Sequence, residues 1–105
     1  MPELTENEFK RHLNTKFVID FEDRSVELEL VEVRPYRSNN PEETNMERFS
    51  AFFTGPQDLL LTQHTYPMRH PEMGMNHIFL VPVKSKDHGA RYEAVFNFYL
   101  KESEG

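Results

Sequence analysis

From Phe17 towards the C-terminal end of the chain, apolar side chains recur at every second position, and this regularity restricts the fold more than any other feature. Successive side chains of an extended strand point to opposite faces, so a period of two marks a sheet with one face turned to a core. Phe17, Ile19 and Phe21 alternate with Val18 and Asp20, and Val26, Leu28 and Leu30 alternate with Glu27 and Glu29. Val31 and Val33 continue on the opposite parity, which a β-bulge near Leu30-Val31 or a change of environment would accommodate. Further strands are expected over Phe49–Phe53, Thr65–Arg69, Met75–Val83 and Tyr92–Leu100. Met75–Val83 is apolar on both parities in its second half, as expected where a helix or second sheet covers a strand. Phe79 and Phe96 are expected in the interior.

The connections read as turns. Glu22-Asp23-Arg24 separates the first two strands, and Gly55-Pro56-Gln57-Asp58 breaks the third. Pro71-Glu72-Met73-Gly74 suits a tight hairpin, with proline presetting φ and glycine supplying a left-handed residue. Leu59-Leu60-Leu61 is a short apolar segment suited to plugging one end of a core, and Lys84–Gly89 is a polar turn. Pro67 and Pro82 lack the N–H a ladder needs, so both belong at edges, ends or bulges. Residues 34–47, with two prolines and three asparagines, form a long aperiodic loop.

Before the strands lies one helix signal. In Leu4-Thr5-Glu6-Asn7-Glu8-Phe9, Thr5 can cap the amide of Glu8 while Glu8 reaches back, and Leu4 and Phe9 occupy the positions of a hydrophobic staple. The helix is expected over about Glu6–Leu13, with Phe9 and Leu13 on its buried face and Asn14 ending it. The fold class is therefore α+β, mainly β: one short N-terminal helix packed on a curved antiparallel sheet, or a partly open barrel, of about six strands. The 105 residues make a single domain, with frayed ends at 1–4 and 101–105.

Composition excludes several functions. There is no cysteine, hence no disulfide, thiolate metal site or cysteine nucleophile. The net charge is −6, and no basic stripe is present to displace counterions, which argues against nucleic acid and anionic membrane as partners. No stretch approaches the roughly 18–20 apolar residues of a membrane span. The first residues carry neither a basic region nor an apolar run, so no signal peptide is expected, and the protein reads as cytoplasmic.

The segments FSAFFTGP, LTQHTYPMRHPEMG, IFLVPV and YEAVFN, in that order, resemble a family of small uncharacterised bacterial domains of unknown function. The likeness runs from about Phe49 to Asn97, and the N-terminal half fits more loosely. The resemblance implies one compact fold and no particular reaction. It also points towards phage-tail-like assemblies, near whose genes some members are found.

The chemistry of individual residues is sparse. His64, His70 and His77, with Glu72 nearby, are imidazole and carboxylate groups of the kind that bind zinc or copper, yet their spacing matches no ligand motif. Met68, Met73 and Met75 are thioethers that more often fill irregular core gaps than bind copper. No metal or other cofactor is expected. Ser50 lies in a strand pattern and not in a nucleophile elbow, and no glycine-rich phosphate loop occurs. Glu93, between Tyr92 and Ala94, is an outward residue paired with Arg91, Arg69 or a partner, or else a carboxylate in an apolar setting. The candidate binding residues are Gln63, Tyr66, His70, Glu93 and Asn97. They would line one wet groove if their strands pair; otherwise they satisfy buried backbone groups. No catalytic residue is singled out. The leading expectation is a non-enzymatic protein-interaction or assembly module, binding by strand addition or through its long loop, with self-association open. The alternative is a small-molecule-binding or enzymatic barrel built on the polar residues of the second half.

Overall fold

A computed structural model describes residues 4–36, 46–84 and 89–99, the side chains of residues 46, 47, 98 and 99 excepted. One helix, α1 (Glu6–Arg11), precedes six strands: β1 (Lys16–Asp20), β2 (Ser25–Pro35), β3 (Met46–Gly55), β4 (His64–His70), β5 (Gly74–Val83) and β6 (Ala90–Tyr99). They close into an antiparallel barrel in the order β1-β2-β3-β6-β5-β4. The core of the expected 34–47 loop, residues 37–45, and the predicted frayed ends lie largely outside the described residues.

Helix α1 begins as its sequence requires. The Thr5 hydroxyl accepts the Glu8 N–H at 3.1 Å, while the Glu8 carboxylate turns to Arg11 at 3.0 Å. So short a helix is marginal in isolation, and tertiary packing holds it. Phe9 is fully buried, with its ring centroid 6.3 Å from that of Phe17, 5.7 Å from Phe49 and 5.1 Å from Phe96. The helix therefore stoppers one end of the barrel with an aromatic side chain. Asn14 then turns the chain with φ 67°, and its N–H donates to the Leu30 carbonyl at 2.7 Å.

The interior is filled by alternate residues of the strands, among them Phe17, Ile19, Leu28, Phe53, Met68 and Tyr92. The bulge expected in the second strand is present: Leu30 faces Phe53, the next matched pair is Glu32 and Phe52, and the register shifts between them. The extra residue keeps Leu30 and Val33 on the core side of one strand. Each proline lies within one ladder, Pro67 opposite His77 and Pro82 opposite Tyr92, and just past the end of the ladder on its other side. The β1–β4 ladder contains Val18↔Arg69 and Ile19↔Met68, just short of Pro67, and Pro82 lies beyond the β4–β5 ladder, which ends at His64↔Leu80.

One expectation fails. Phe79 is 48% exposed on the outer face, because Tyr66↔Ile78 and His64↔Leu80 set the register and turn Ile78 and Leu80 inward. A strand apolar on both parities carries no internal instruction about which face is the core, and pairing with β4 decides it. Phe96, on the inward parity of β6, packs against the core as expected. The opposite mouth of the barrel is crossed by Leu59–Thr62. Tyr92 accepts the Leu61 N–H through its hydroxyl at 2.8 Å, and the Tyr66 hydroxyl donates to the Thr62 carbonyl at 2.7 Å. Leu61 is buried under this strap and Leu60 is exposed on top of it. Among the described residues, no helix is long and apolar enough to cross a membrane.

Candidate functional site

The five residues singled out by sequence do not converge. Gln63 is exposed at the bend before β4. Tyr66 points inward beneath the strap, and His70 is buried near α1. Glu93 and Asn97 lie on the outer parity of β6. Glu93 accepts the hydroxyl hydrogen of buried Ser50 at 2.6 Å, and Asn97 accepts a hydrogen bond from Arg48 at 3.4 Å. Arg91 pairs with Glu32 at 2.7 Å and not with Glu93. His70 and His77, which flank the hairpin turn, occupy opposite faces: His70 is buried and His77 exposed. Met68 and Met73 belong to the core, and Met75 is exposed.

His70 is instead one member of a network that the sequence did not disclose. Its Nδ1 accepts the N–H groups of Glu72 at 3.0 Å and Met73 at 3.2 Å, which secures the β4–β5 turn. Its Nε2 lies 3.0 Å from Thr15 Oγ1, whose own hydrogen goes to the His12 carbonyl at 2.6 Å. His12 is buried at the C-terminal end of α1, its ring 4.7 Å from that of His70 in an edge-on arrangement. Its Nδ1 meets the Glu8 carbonyl at 2.8 Å and its Nε2 meets Glu72 Oε1 at 2.9 Å. Burial holds the His70 pKa below the ordinary histidine value; His12 adds to this and Glu72 opposes it. A lone histidine in the last turn of a short amphipathic helix carries no spacing signal in the sequence, and only the fold brings it to His70. Among the described residues, no group of three or more His, Cys, Asp or Glu side chains is placed to hold a metal ion.

A second cluster lies outside the barrel. Phe52 is on the outer parity of β3 yet only 6% exposed, because the guanidinium carbons of Arg34 and Arg91 stand 4.7 and 4.6 Å from its ring centroid. Glu32 binds both arginines, Arg34 at 2.9 Å and Arg91 at 2.7 Å. Beside it a pocket of about 90 Å³ is lined by Arg34, Pro35, Tyr36, Ser50 and Glu93. Every charged group of this cluster already faces a partner of opposite charge or a donor, the arrangement of a structural network more than of a reactive centre.

The outer face of β4, β5 and β6 differs. The β5–β6 ladder runs only from Val81↔Glu93 to Val83↔Arg91, although each strand has 10 residues. Where the two strands continue beyond it, Phe79 and Val95 stand on the outer face two positions past the last ladder pair, 48% and 59% exposed. Met75, 55% exposed, continues the apolar line along β5. Three of the six large apolar side chains exposed among the described residues thus lie on two strands joined by only three ladder pairs.

A family model covering residues 4–96 matches this chain. The protein belongs to the DUF6916 family, a domain of unknown function. The match extends over the helix, the first five strands and β6 as far as Phe96, so the stopper and the barrel are parts of one DUF6916 unit. No curated protein and no solved structure matches the chain. The candidate site of this DUF6916 domain therefore has to be argued from its own geometry, and the β5–β6 seam is the surface on which unsatisfied apolar area and incomplete strand pairing coincide.

Proposed function

We propose that the domain is a small non-enzymatic protein-interaction module, and that the β5–β6 seam receives its partner. One observation carries this: Phe79 and Val95 are exposed where the β5–β6 ladder ends. Strand segments that extend beyond their ladder offer backbone donors and acceptors to an added strand. Exposed apolar side chains beside such an edge supply the area that a partner would bury. The five polar residues of the sequence expectation are distributed over both barrel ends and the outer wall, so they do not support the enzymatic alternative. A place in a phage-tail-like assembly fits an interaction module and rests on the family resemblance.

The test is a paired comparison in cells. Tagged wild-type domain and the Phe79→Asp/Val95→Asp variant are recovered under identical conditions after cross-linking, with solution mass measured for both. A partner or second copy that is held by the wild type and lost by the variant, with the variant's circular dichroism unchanged, supports the proposal. Equal recovery by both proteins refutes it.

A further inference from the structure

The hydrogen bonds around His12 and His70 assign nearly every proton in the network by elimination. The Glu8 carbonyl only accepts, so His12 Nδ1 carries a hydrogen. Its Nε2 lies 2.9 Å from Glu72 Oε1, so the His12 ring sits between two oxygens. At His70 the logic reverses. Two backbone N–H groups point at Nδ1, which must be bare. The Thr15 hydroxyl has already donated to the His12 carbonyl, so His70 Nε2–H donates to Thr15. One imidazole lies between two oxygens, and its neighbour, with ring centroids 4.7 Å apart, accepts at Nδ1 and donates at Nε2.

We propose that His12, His70 and Glu72 form an acid-triggered latch that fastens the N-terminal helix and the β4–β5 turn to the barrel end. A proton added to His70 Nδ1 displaces both backbone donors from the turn and places a charge within the buried contact, 4.7 Å from the His12 ring. The elements that part are those the network joins: α1 with its His12 cap, the Thr15 segment, and the Pro71–Met73 turn. The aromatic surface beneath Phe9, formed by Phe17, Phe49 and Phe96, is then uncovered. The ladders β1–β2, β2–β3 and β3–β6 contain no member of the network and stay closed. The charged groups facing the trigger are His12 from the helix cap and Glu72 from the turn, with Glu8 Oε1 3.9 Å from His12 Nδ1.

The direction follows from linkage. A histidine harder to protonate in the closed form than in the open one favours closure above the ordinary histidine range and loses that contribution as pH falls. A single coupled proton makes opening about tenfold more favourable per pH unit over the range in which the open form is protonated and the closed form is not.

The experiment is a pH titration of the full ¹⁵N-labelled chain by NMR, reading the ring nitrogens of His12 and His70 together with amide hydrogen exchange corrected for intrinsic pH dependence. At neutral pH, His70 Nδ1 is expected to show the shift of a bare acceptor nitrogen. As pH falls below the ordinary histidine range, with His70 of the closed form still neutral, exchange at Glu72, Met73 and Phe9–His12 is expected to rise about tenfold per pH unit while β3 and β6 keep their protection. His70→Gln, which can still accept and donate but does not titrate, is expected to abolish this rise. The same acid response in His70→Gln overturns the latch, as does exchange at these amides that stays flat below the ordinary histidine range. Should the variant not fold, the wild-type exchange slope at the helix and turn, set against that of β3 and β6, decides the question alone.

Discussion

Tyr92 reaches from inside the barrel to hold the strap across its mouth, its hydroxyl accepting the Leu61 N–H at 2.8 Å in a fully buried contact. The same oxygen lies 3.5 Å from the Leu59 carbonyl. Removing it leaves a buried backbone donor without an acceptor, a loss worth about 1–3 kcal/mol. Tyr92→Phe is therefore expected to lower stability by that amount while keeping the ring in the core. Urea denaturation is the measurement: the midpoint should fall with the slope unchanged, and an unchanged midpoint would show that the strap is held by Leu61 packing alone.

Gly55, at the end of β3, has no room for a larger residue. A Cβ there would stand 2.6 Å from Leu28 Cδ2, inside the core. Overpacking of this kind costs about 1–3 kcal/mol, so Gly55→Ala should lower the melting temperature by about 4–8 °C for each kcal/mol lost. Because the clash has one named partner, the cost should shrink when Leu28 is shortened to Val. Simple additivity of the two substitutions would mean that the glycine is needed for some other reason.

Much of the fold was written in local pattern. The capping residue Thr5, the β2 bulge, the hairpin turn ending at Gly74 and the apolar strap at Leu59–Leu61 are all features of a few adjacent residues and appear where the sequence put them, while the helix ends at Arg11, two residues before the expected Leu13. What failed or stayed hidden depends on contacts between distant segments. Phe79 faced the wrong way because a doubly apolar strand takes its orientation from its neighbour. Closure into a barrel rests on a two-pair ladder between β1 and β4, with Ile19 and Met68 49 residues apart, which no periodicity announces. Of the candidate residues, His70 and Glu93 have partners, Thr15 with His12 and Ser50, that lie at long sequence range and that no local pattern announces. The seam itself could not be read from the chain, since an exposed Phe79 looks identical in sequence to a buried one.

Asp20 and Arg69 bind side by side across the β1–β4 closure, with Arg69 donating from both Nε and Nη2. The hydrogen bond from Arg69, then that from Ser25, lowers the Asp20 pKa from 3.8 to about 2. A depressed acid contributes stability above its unfolded pKa and loses it as pH falls through the folded value. The window here is pH 3.8 down to about 2. Carbon-detected NMR titration of the Asp20 carboxyl should give about 2 in the wild type, rising towards 3.8 in Arg69→Ala, with the Ser25 bond keeping it from full recovery. An Asp20 value near 3.8 in the wild type would mean that the pair does not persist in solution.

Phe52 and Arg91 allow the outer cluster to be dissected. The guanidinium carbon of Arg91 lies 4.6 Å from the Phe52 ring centroid, and Glu32 anchors the same arginine at 2.7 Å. Burial raises the Glu32 pKa, and the hydrogen bonds from Arg34 and Arg91 outweigh it, leaving the carboxyl lower than usual. A cation held over an aromatic face contributes about 0.5–1 kcal/mol at exposed sites and about 2 when desolvated. Phe52 is nearly buried while the arginine side chains remain partly open, so an intermediate coupling of about 1 kcal/mol is expected. Phe52→Leu keeps apolar volume and removes the ring face; Arg91→Met keeps the stem and removes the charge. A double-mutant cycle on unfolding free energy isolates their interaction. Coupling of about 1 kcal/mol that persists in high salt identifies the stacked contact as the reason an outward phenylalanine is covered, because close, partly buried interactions are screened less than exposed charges. Zero coupling would assign that burial to the arginine stems alone, and the cycle between Arg91 and Glu32 would then carry whatever electrostatic stabilisation the cluster has.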